Sequence, residues 1–272
     1  MASLETWRLL VETGGEPAWN MAVEEALLLD PHARPTLRFY TWEPPTISLG
    51  YFQDAREVEP LPPRTGLVRR ITGGLAIHHI MELTWGLVLP EERLPGPIED
   101  SYRALHEALI EAIHSLGARG VHIREEENLL SDREGPTPWC FEKSSHLDLV
   151  WEGRKLAGSA QRRTGGRLLH HGSVPLEENP STPRSSWVSL AAGRAVTFGE
   201  MARAFARALE ERFSLRLVPG ELTPGERAAA ERLVRKRHGS EGFVRRPVRP
   251  SRRPRSCGIP QDSGGSGPIK GA

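Results

Sequence analysis

CFEKSSHLDLVWEGRKLAGSAQRRTGGRLLHHGS, residues 140–173, is the stretch around which the chain is organised. It places a thiol at Cys140, an amine at Lys155, the small residues Gly158, Ser159 and Ala160, and the imidazoles of His170 and His171 within 34 residues. Leu147 to Trp151 and Arg154 to Ser159 read as two strands joined by a tight Glu152-Gly153 turn, the pattern of a β-hairpin. A short hairpin brings side chains distant in sequence together, so Cys140 and Lys155 can face one pocket. From the local sequence alone, Cys140 fits a packed thiol and a nucleophile equally well. A GRK turn alone most often marks an exposed lysine.

Upstream, 6–13 reads as a first strand and 18–30 as a helix ended by Pro31, with Asn20 as its expected cap. Residues 36–42 and 47–51 are β-rich. Residues 68–90, VRRITGGLAIHHIMELTWGLVLP, begin as a strand ending at Arg69-Arg70. They turn at Thr72-Gly73-Gly74 and continue as two more strands. Paired glycines can turn backbone N–H groups toward an anion or a carbonyl. Apolar residues at 98, 102, 105, 109, 113 and 116 give an amphipathic helix over 98–117. His106 on it reads as a surface or core residue. Short strands follow at 121–123 and, as a candidate, 128–130, then a loop over 132–139.

Downstream, 177–186 is a loop, and Thr197 with Glu200 forms a capping box opening a helix to 213. A strand at 215–218 and a helix at 224–236 complete the body, 1–238. Residues 239–272 form a basic, Pro/Ser/Gly-rich tail, expected to be disordered.

Composition narrows the function classes. Of the chain's 272 residues 38% are hydrophobic, with no apolar run of the roughly 18 residues a membrane helix needs. The first residues lack a basic-then-apolar secretory signal. Two cysteines, Cys140 and Cys257, make no disulfide framework, and neither CxxC nor HExxH metal spacing occurs. A reducing cytoplasm is the expected location. Residues 235–255 hold nine Lys/Arg against one acid, leaving the rest acidic. Such a stretch suits an acidic protein partner or a solvated end. Nucleic acid is the less favoured partner, and no membrane partner is expected.

Four separated motifs then fall in order. WNMAVEEALL at 19–28, RRITGGLAIHH at 69–79, CFEKSSHLDLVWEGRKLAGSAQRR at 140–163 and HHGSVPL at 170–176 resemble those of the lipoate/octanoate protein ligase and transferase family. That family shares its catalytic fold with biotin protein ligases. The resemblance runs over roughly 7–218. It implies an α+β fold, a mixed, largely antiparallel sheet flanked by helices, of the biotin/lipoate protein ligase catalytic-domain type. It implies catalytic Cys140 and Lys155. It implies substrate-binding Arg69, Arg70, Gly73, Gly74, Ala76, His79, Gly158, Ser159, Ala160, His171 and Gly172, and no metal. Leu75, Ile80-Met81 and His170 depart from the family pattern.

The cysteine before the S-x-x-D-L-V strand resembles the octanoyltransferase branch, in which that cysteine carries the acyl group. The implied function is octanoyl transfer from acyl carrier protein through a Cys140 thioester to a lysine of a lipoyl-bearing protein. That acceptor is a glycine-cleavage H protein or a dehydrogenase E2. No cofactor is needed for it. The alternative, an ATP-dependent lipoate–protein ligase, would need ATP and Mg. A non-catalytic binding protein is the third reading. In the transferase reading Lys155, or a protonated His79, is the cation that helps the thiol ionise. Leu75, Ala76, Ile77 and Gly158-Ser159-Ala160 are expected to line an acyl tunnel.

Overall fold

The computed structural model describes residues 4–94, 96–125 and 137–248. The strand considered at 128–130 and the chain beyond 248 lie outside them.

Among the described residues, the main sheet contains β1 (Glu5–Gly15), β2 (Thr36–Trp42), β6 (Glu82–Pro90), β7 (His122–Ile123), β8 (Leu149–Trp151), β9 (Arg154–Thr164), β10 (Arg167–Pro175) and β11 (Leu215–Pro219). Their order is β11-β1-β2-β6-β10-β9-β8-β7. β1 runs parallel to both β11 and β2, and every other neighbouring pair is antiparallel. A small second sheet, ordered β4-β3-β5, comprises β3 (Thr46–Leu49), β4 (Gly66–Arg69) and β5 (Ile77–His79). The helices are α1 (Pro17–Leu29), α2 (Ile98–Ser115), α3 (Val188–Ala192), α4 (Phe198–Phe213), α5 (Pro224–Leu233) and α6 (Glu241–Val244). This is the mixed, largely antiparallel α+β architecture expected from the sequence.

Strand alternation assigns the two faces. Leu37, Phe39, Trp85, Leu87 and Leu168 pack against α2 and α4, where Phe205 meets the Phe39 and Trp85 rings. Val88 and Leu169 face the other way, toward Ala22, Val23, Ala26 and Leu27 of α1. Both faces are covered, which explains why β6 is apolar almost throughout rather than alternating.

Local chemistry sets several boundaries. The hairpin between β8 and β9 turns at Glu152 (φ 49°) and Gly153 (φ 75°), two left-handed residues, as a tight hairpin turn requires. Thr197 and Thr223 each close a capping box with the glutamate three residues on. The expected Asn20 cap is corrected: α1 begins at Pro17, whose ring pre-sets the first helical φ. Asn20 lies inside the helix, buried, and accepts from Arg38 at 2.7 Å. β10 and α3 were not anticipated.

The expected start of the tail at 239 falls within packed chain. α6 docks on β4, and the Arg69 guanidinium donates to the Val244 carbonyl at 2.8 Å. Arg246 sits 3.7 Å over the Tyr51 ring, Arg245 pairs with Glu59, and Arg237 pairs with Glu25 at 2.8 Å. Part of the basic stretch is therefore spent on folding.

Candidate active site

Cys140 is delivered by a backbone splice. Ala76 and Trp139 form a parallel bridge, the Cys140 N–H donates to the Ala76 carbonyl at 2.8 Å, and Ala76 N–H donates to Pro138 at 2.9 Å. The chain then tightens into a 3-10 turn, Cys140–Glu142. The cysteine thus opens a turn rather than joining a strand, and it is 8% exposed.

Lys155 is the second residue of β9 and folds its side chain back across Gly158. Its ammonium Nζ lies 2.8 Å from Asp148 Oδ2, 3.4 Å from Cys140 Sγ and 5.4 Å from the Phe141 ring. Gly158 is what lets the lysine lie there. A Cβ at that position would sit 2.7 Å from Lys155 Cε and 2.8 Å from Nζ. The lysine is 3% exposed and Asp148 4%, so this is a buried pair and not the solvated hairpin lysine that a GRK turn usually marks.

Asp148 was given no role in the sequence reading. Its Oδ2 accepts from Ser145 N–H at 2.7 Å, and Arg124 N–H donates to its carbonyl at 2.8 Å. Burial pushes its carboxyl up while Lys155 opposes that rise, leaving it at about 6. It precedes β8 by one residue, on the strand paired with Lys155. Its place directly before the strand that pairs with Lys155 across the hairpin was the available signal.

Behind the pair runs a chain of hydrogen bonds whose protons can be placed. His106 Nδ1 faces the Leu147 carbonyl at 2.6 Å, so Nδ1 carries the hydrogen and Nε2 accepts from the Ser159 hydroxyl at 2.7 Å. Ser159 Oγ then accepts from His170 Nε2 at 2.8 Å, and His170 Nδ1 accepts from Gln161 at 3.0 Å. Burial keeps both rings neutral, pushing His106 down to about 4 and lowering His170 well below its usual range. The chain anchors Leu147, which holds the left-handed conformation at φ 71°, and through it the start of the Asp148 strand. Ser159 lines the pocket with its hydroxyl already committed.

The pocket lies between the main sheet and the small sheet and encloses about 740 Å³ including its mouth. Cys140, Arg70, Gly73, Gly74, His79, Gly158, Ser159, Ala160, His171 and Gly172 line it, as does Ile77. Met21, Tyr40, Trp42, Tyr102 and Phe141 supply apolar wall that the sequence reading missed. Four expected residues stand elsewhere or act differently. Arg69 ties the Gly50, Gln53 and Val244 carbonyls together, at 2.9, 2.6 and 2.8 Å, behind the wall. Ala76 and Leu75 are not on the wall; Ala76 packs with Ile47, Leu49 and Val58 and serves through its backbone splice to Cys140. His79 has both ring nitrogens engaged, Nε2 with Ser48 at 2.7 Å and Nδ1 with Glu82, so Lys155 is the cation that the structure sets against the thiol.

Two buried carboxylates brace the far wall. Glu24 bonds His171 Nδ1 at 2.6 Å and the Tyr40 hydroxyl at 2.8 Å, and Glu82 accepts from Ser173 at 2.5 Å and from Thr84. Burial pushes both up, but His171 and Arg38 around Glu24, and His79, Ser173 and Thr84 around Glu82, outweigh it and hold both below the usual carboxylate range. Trp42 stacks on His79 with ring centroids 4.3 Å apart, turning a polar pair into an apolar surface. Gly172 is required by contact: a Cβ there would lie 2.7 Å from Trp85 Nε1.

Residues 16–190 match the lipoyl protein ligase A/B catalytic domain, and the chain belongs to that family. Its curated relatives include octanoyltransferase LipM of Kyrpidia tusciae, 39% identical over 265 residues, covering 86% of this chain and 96% of that protein. Octanoyltransferase LipM of Symbiobacterium thermophilum is 36% identical over 268 residues, covering 87% and 97%. Octanoyl transfer, not ATP-dependent ligation, is the activity that these relatives support. Among solved structures, a lipoate-protein ligase A bound with ATP superposes with a TM-score of 0.73 at 24% identity, covering 88% of this chain and 98% of the other. A bi-partite lipoate protein ligase and its E2 lipoyl domain from Thermoplasma acidophilum gives 0.71 at 22%, covering 91% and 98%. These two likenesses concern the fold.

Proposed function

We propose that this octanoyltransferase takes its octanoyl group from acyl carrier protein, holds it as a thioester on Cys140, and passes it to a lysine ε-amine of a lipoyl-domain protein, such as a dehydrogenase E2 or a glycine-cleavage H protein. The observation that carries the reading is the placement of Cys140 Sγ 3.4 Å from the Lys155 ammonium at the edge of an apolar pocket.

An ammonium at that distance favours the thiolate, which is the nucleophile. Sulfur attacks the donor's thioester carbonyl, the oxyanion develops beside Lys155, and the carrier thiolate departs with a proton. In the second half the acceptor amine attacks the Cys140 thioester. The carbon–sulfur bond breaks, and the proton lost by nitrogen ends on the departing sulfur. One thioester replaces another, then an amide replaces a thioester, so no nucleotide is consumed. Burying seven carbons of the acyl chain at about 0.8 kcal/mol each supplies on the order of 5 kcal/mol of binding.

The test is intact-protein mass after mixing with octanoyl-acyl carrier protein in the absence of ATP. One octanoyl group, mapped to Cys140 and released by hydroxylamine, is the expected result. An adduct that forms only with ATP would overturn the reading.

A further inference from the structure

The transfer chemistry creates a hazard inside the site. The enzyme's acceptor is a lysine ε-amine, and a lysine ε-amine of its own lies 3.4 Å from the sulfur that carries the acyl group. The thioester carbonyl carbon is one bond from that sulfur. A nitrogen that close to the sulfur can come within the roughly 3–3.5 Å of that carbon at which attack begins. A neutral Lys155 could attack that carbon: the nitrogen–carbon bond would form, the carbon–sulfur bond would break, and the nitrogen's proton would pass to the departing Cys140 sulfur. The product, a free thiol and an octanoyl amide on Lys155, would be a dead end, because no second thioester lies downhill of an amide.

We propose that Asp148 is a positioning residue that protects Lys155 from acylation by the enzyme's own thioester, holding it as an ammonium with no lone pair to give. This rests on the thioester reading above. The geometry is specific to that task. Asp148 Oδ2 is closer to Nζ, at 2.8 Å, than Sγ is, and unlike the sulfur it keeps its charge when Cys140 becomes acylated. The carboxylate is fixed independently of the lysine, by Ser145 N–H at 2.7 Å and by the His106–Leu147 bond at 2.6 Å. Gly158, with a virtual Cβ 2.8 Å from Nζ and 3.1 Å from Asp148 Oδ1, leaves room for the two side chains to meet.

The other titratable groups packed around the pair are Cys140, Tyr102 and His106. Burial pushes the Tyr102 hydroxyl above its usual range and His106 down to about 4.

The experiment loads the full chain with octanoyl-acyl carrier protein without acceptor, then follows intact mass before and after neutral hydroxylamine, with peptide mapping. Wild type at about pH 7 should carry an adduct that hydroxylamine removes. Asp148→Asn should convert it to a resistant adduct on Lys155. Each unit by which an ammonium's pKa falls raises its neutral fraction about tenfold, so conversion at least ~10-fold faster than wild type is expected. Asp148→Glu, which restores the charge, should suppress the resistant adduct, and Asp148→Asn combined with Lys155→Arg should abolish it.

Wild type gives an independent arm: raising the pH from about 7 to about 10 after loading should speed conversion to the Lys155 amide. That arm decides the matter if Asp148→Asn does not fold or does not load. A loaded Asp148→Asn enzyme that stays fully hydroxylamine-sensitive, or a wild type whose adduct stays sensitive at high pH, overturns the proposal. Failure of wild type to load Cys140 at all would instead remove the thioester reading.

Discussion

Gly158→Ala separates the fold from the chemistry. The new methyl carbon would lie 2.7 Å from Lys155 Cε and 2.8 Å from Nζ, whereas carbon contacts relax at about 3.5–4.0 Å. The end of the lysine must therefore retreat by roughly 0.8 Å. It is the far end of a flexible side chain, so the fold yields cheaply, at the low end of the ~1–3 kcal/mol that overpacking costs. The group displaced, however, is the cation set 3.4 Å from the thiol. A misplacement of about 1 Å at reacting groups costs roughly 100-fold in rate, equivalent to about 2.7 kcal/mol. The assay is the rate of octanoyl loading on Cys140 by quenched intact mass, alongside thermal unfolding. Loading slowed about 100-fold with a small shift in Tm is expected. Wild-type loading by a folded Gly158→Ala enzyme would show that the position of Lys155 is not what drives the thiol.

Cys140→Ser should fold normally and carry no hydroxylamine-sensitive octanoyl group; near-normal transfer would end the thioester mechanism. Lys155→Arg keeps charge but brings a planar fork into the space over Gly158, so loading should fall by more than about tenfold; thiol alkylation against pH then reports whether the electrostatic part survives. His106, pushed down to about 4 from 6.5 by burial, adds stability that is fully present above pH 6.5 and lost as pH falls toward 4. At pH 5 its loss is on the order of 2 kcal/mol, partly offset by Asp148, raised from 3.8 to about 6, which acts in the opposite sense between those values. Denaturant unfolding at pH 7 and 5 should show a smaller acid loss in His106→Gln than in wild type, and equal slopes would refute the assignment. A chain ended after Val248 keeps the packed α6 yet sheds much of the basic stretch. If that stretch steers an acidic carrier protein, apparent affinity should fall at low salt only, as screening shortens from roughly 10 Å at 0.1 M to about 3 Å at 1 M.

The elements whose side chains repeat with a period, such as α2, α4 and the strands of the hairpin around Glu152-Gly153, were legible because local pattern and final burial agree. Cys140 and Lys155 were legible as a pair because a short hairpin follows the cysteine and folds the lysine's strand back toward it. What escaped was set by long-range packing. Asp148 reads locally as a polar residue leading into a strand, and its partner is visible only once Lys155 is seen folded back over Gly158. Arg69 and Arg70 look equivalent in sequence, yet strand alternation sends Arg70 to the pocket and Arg69 to the Val244 carbonyl, 175 residues away. Asn20 was misjudged because Pro17 opens the helix three residues earlier.

The parallel pairing of β1 with β11 has a consequence for synthesis on the ribosome. The register from Glu5↔Leu215 to Leu9↔Pro219, and the Arg8–Glu226 ion pair at 2.7 Å, join the first strand made to some of the last described chain made. At about 5–20 residues per second, β1 emerges on the order of 10–40 s before its outer neighbour exists. During that interval one edge of β1 is an open template for another nascent chain. Its relief comes only when residues 215–219 arrive, so among the described strands the sheet closes last along β1, which is made before the others.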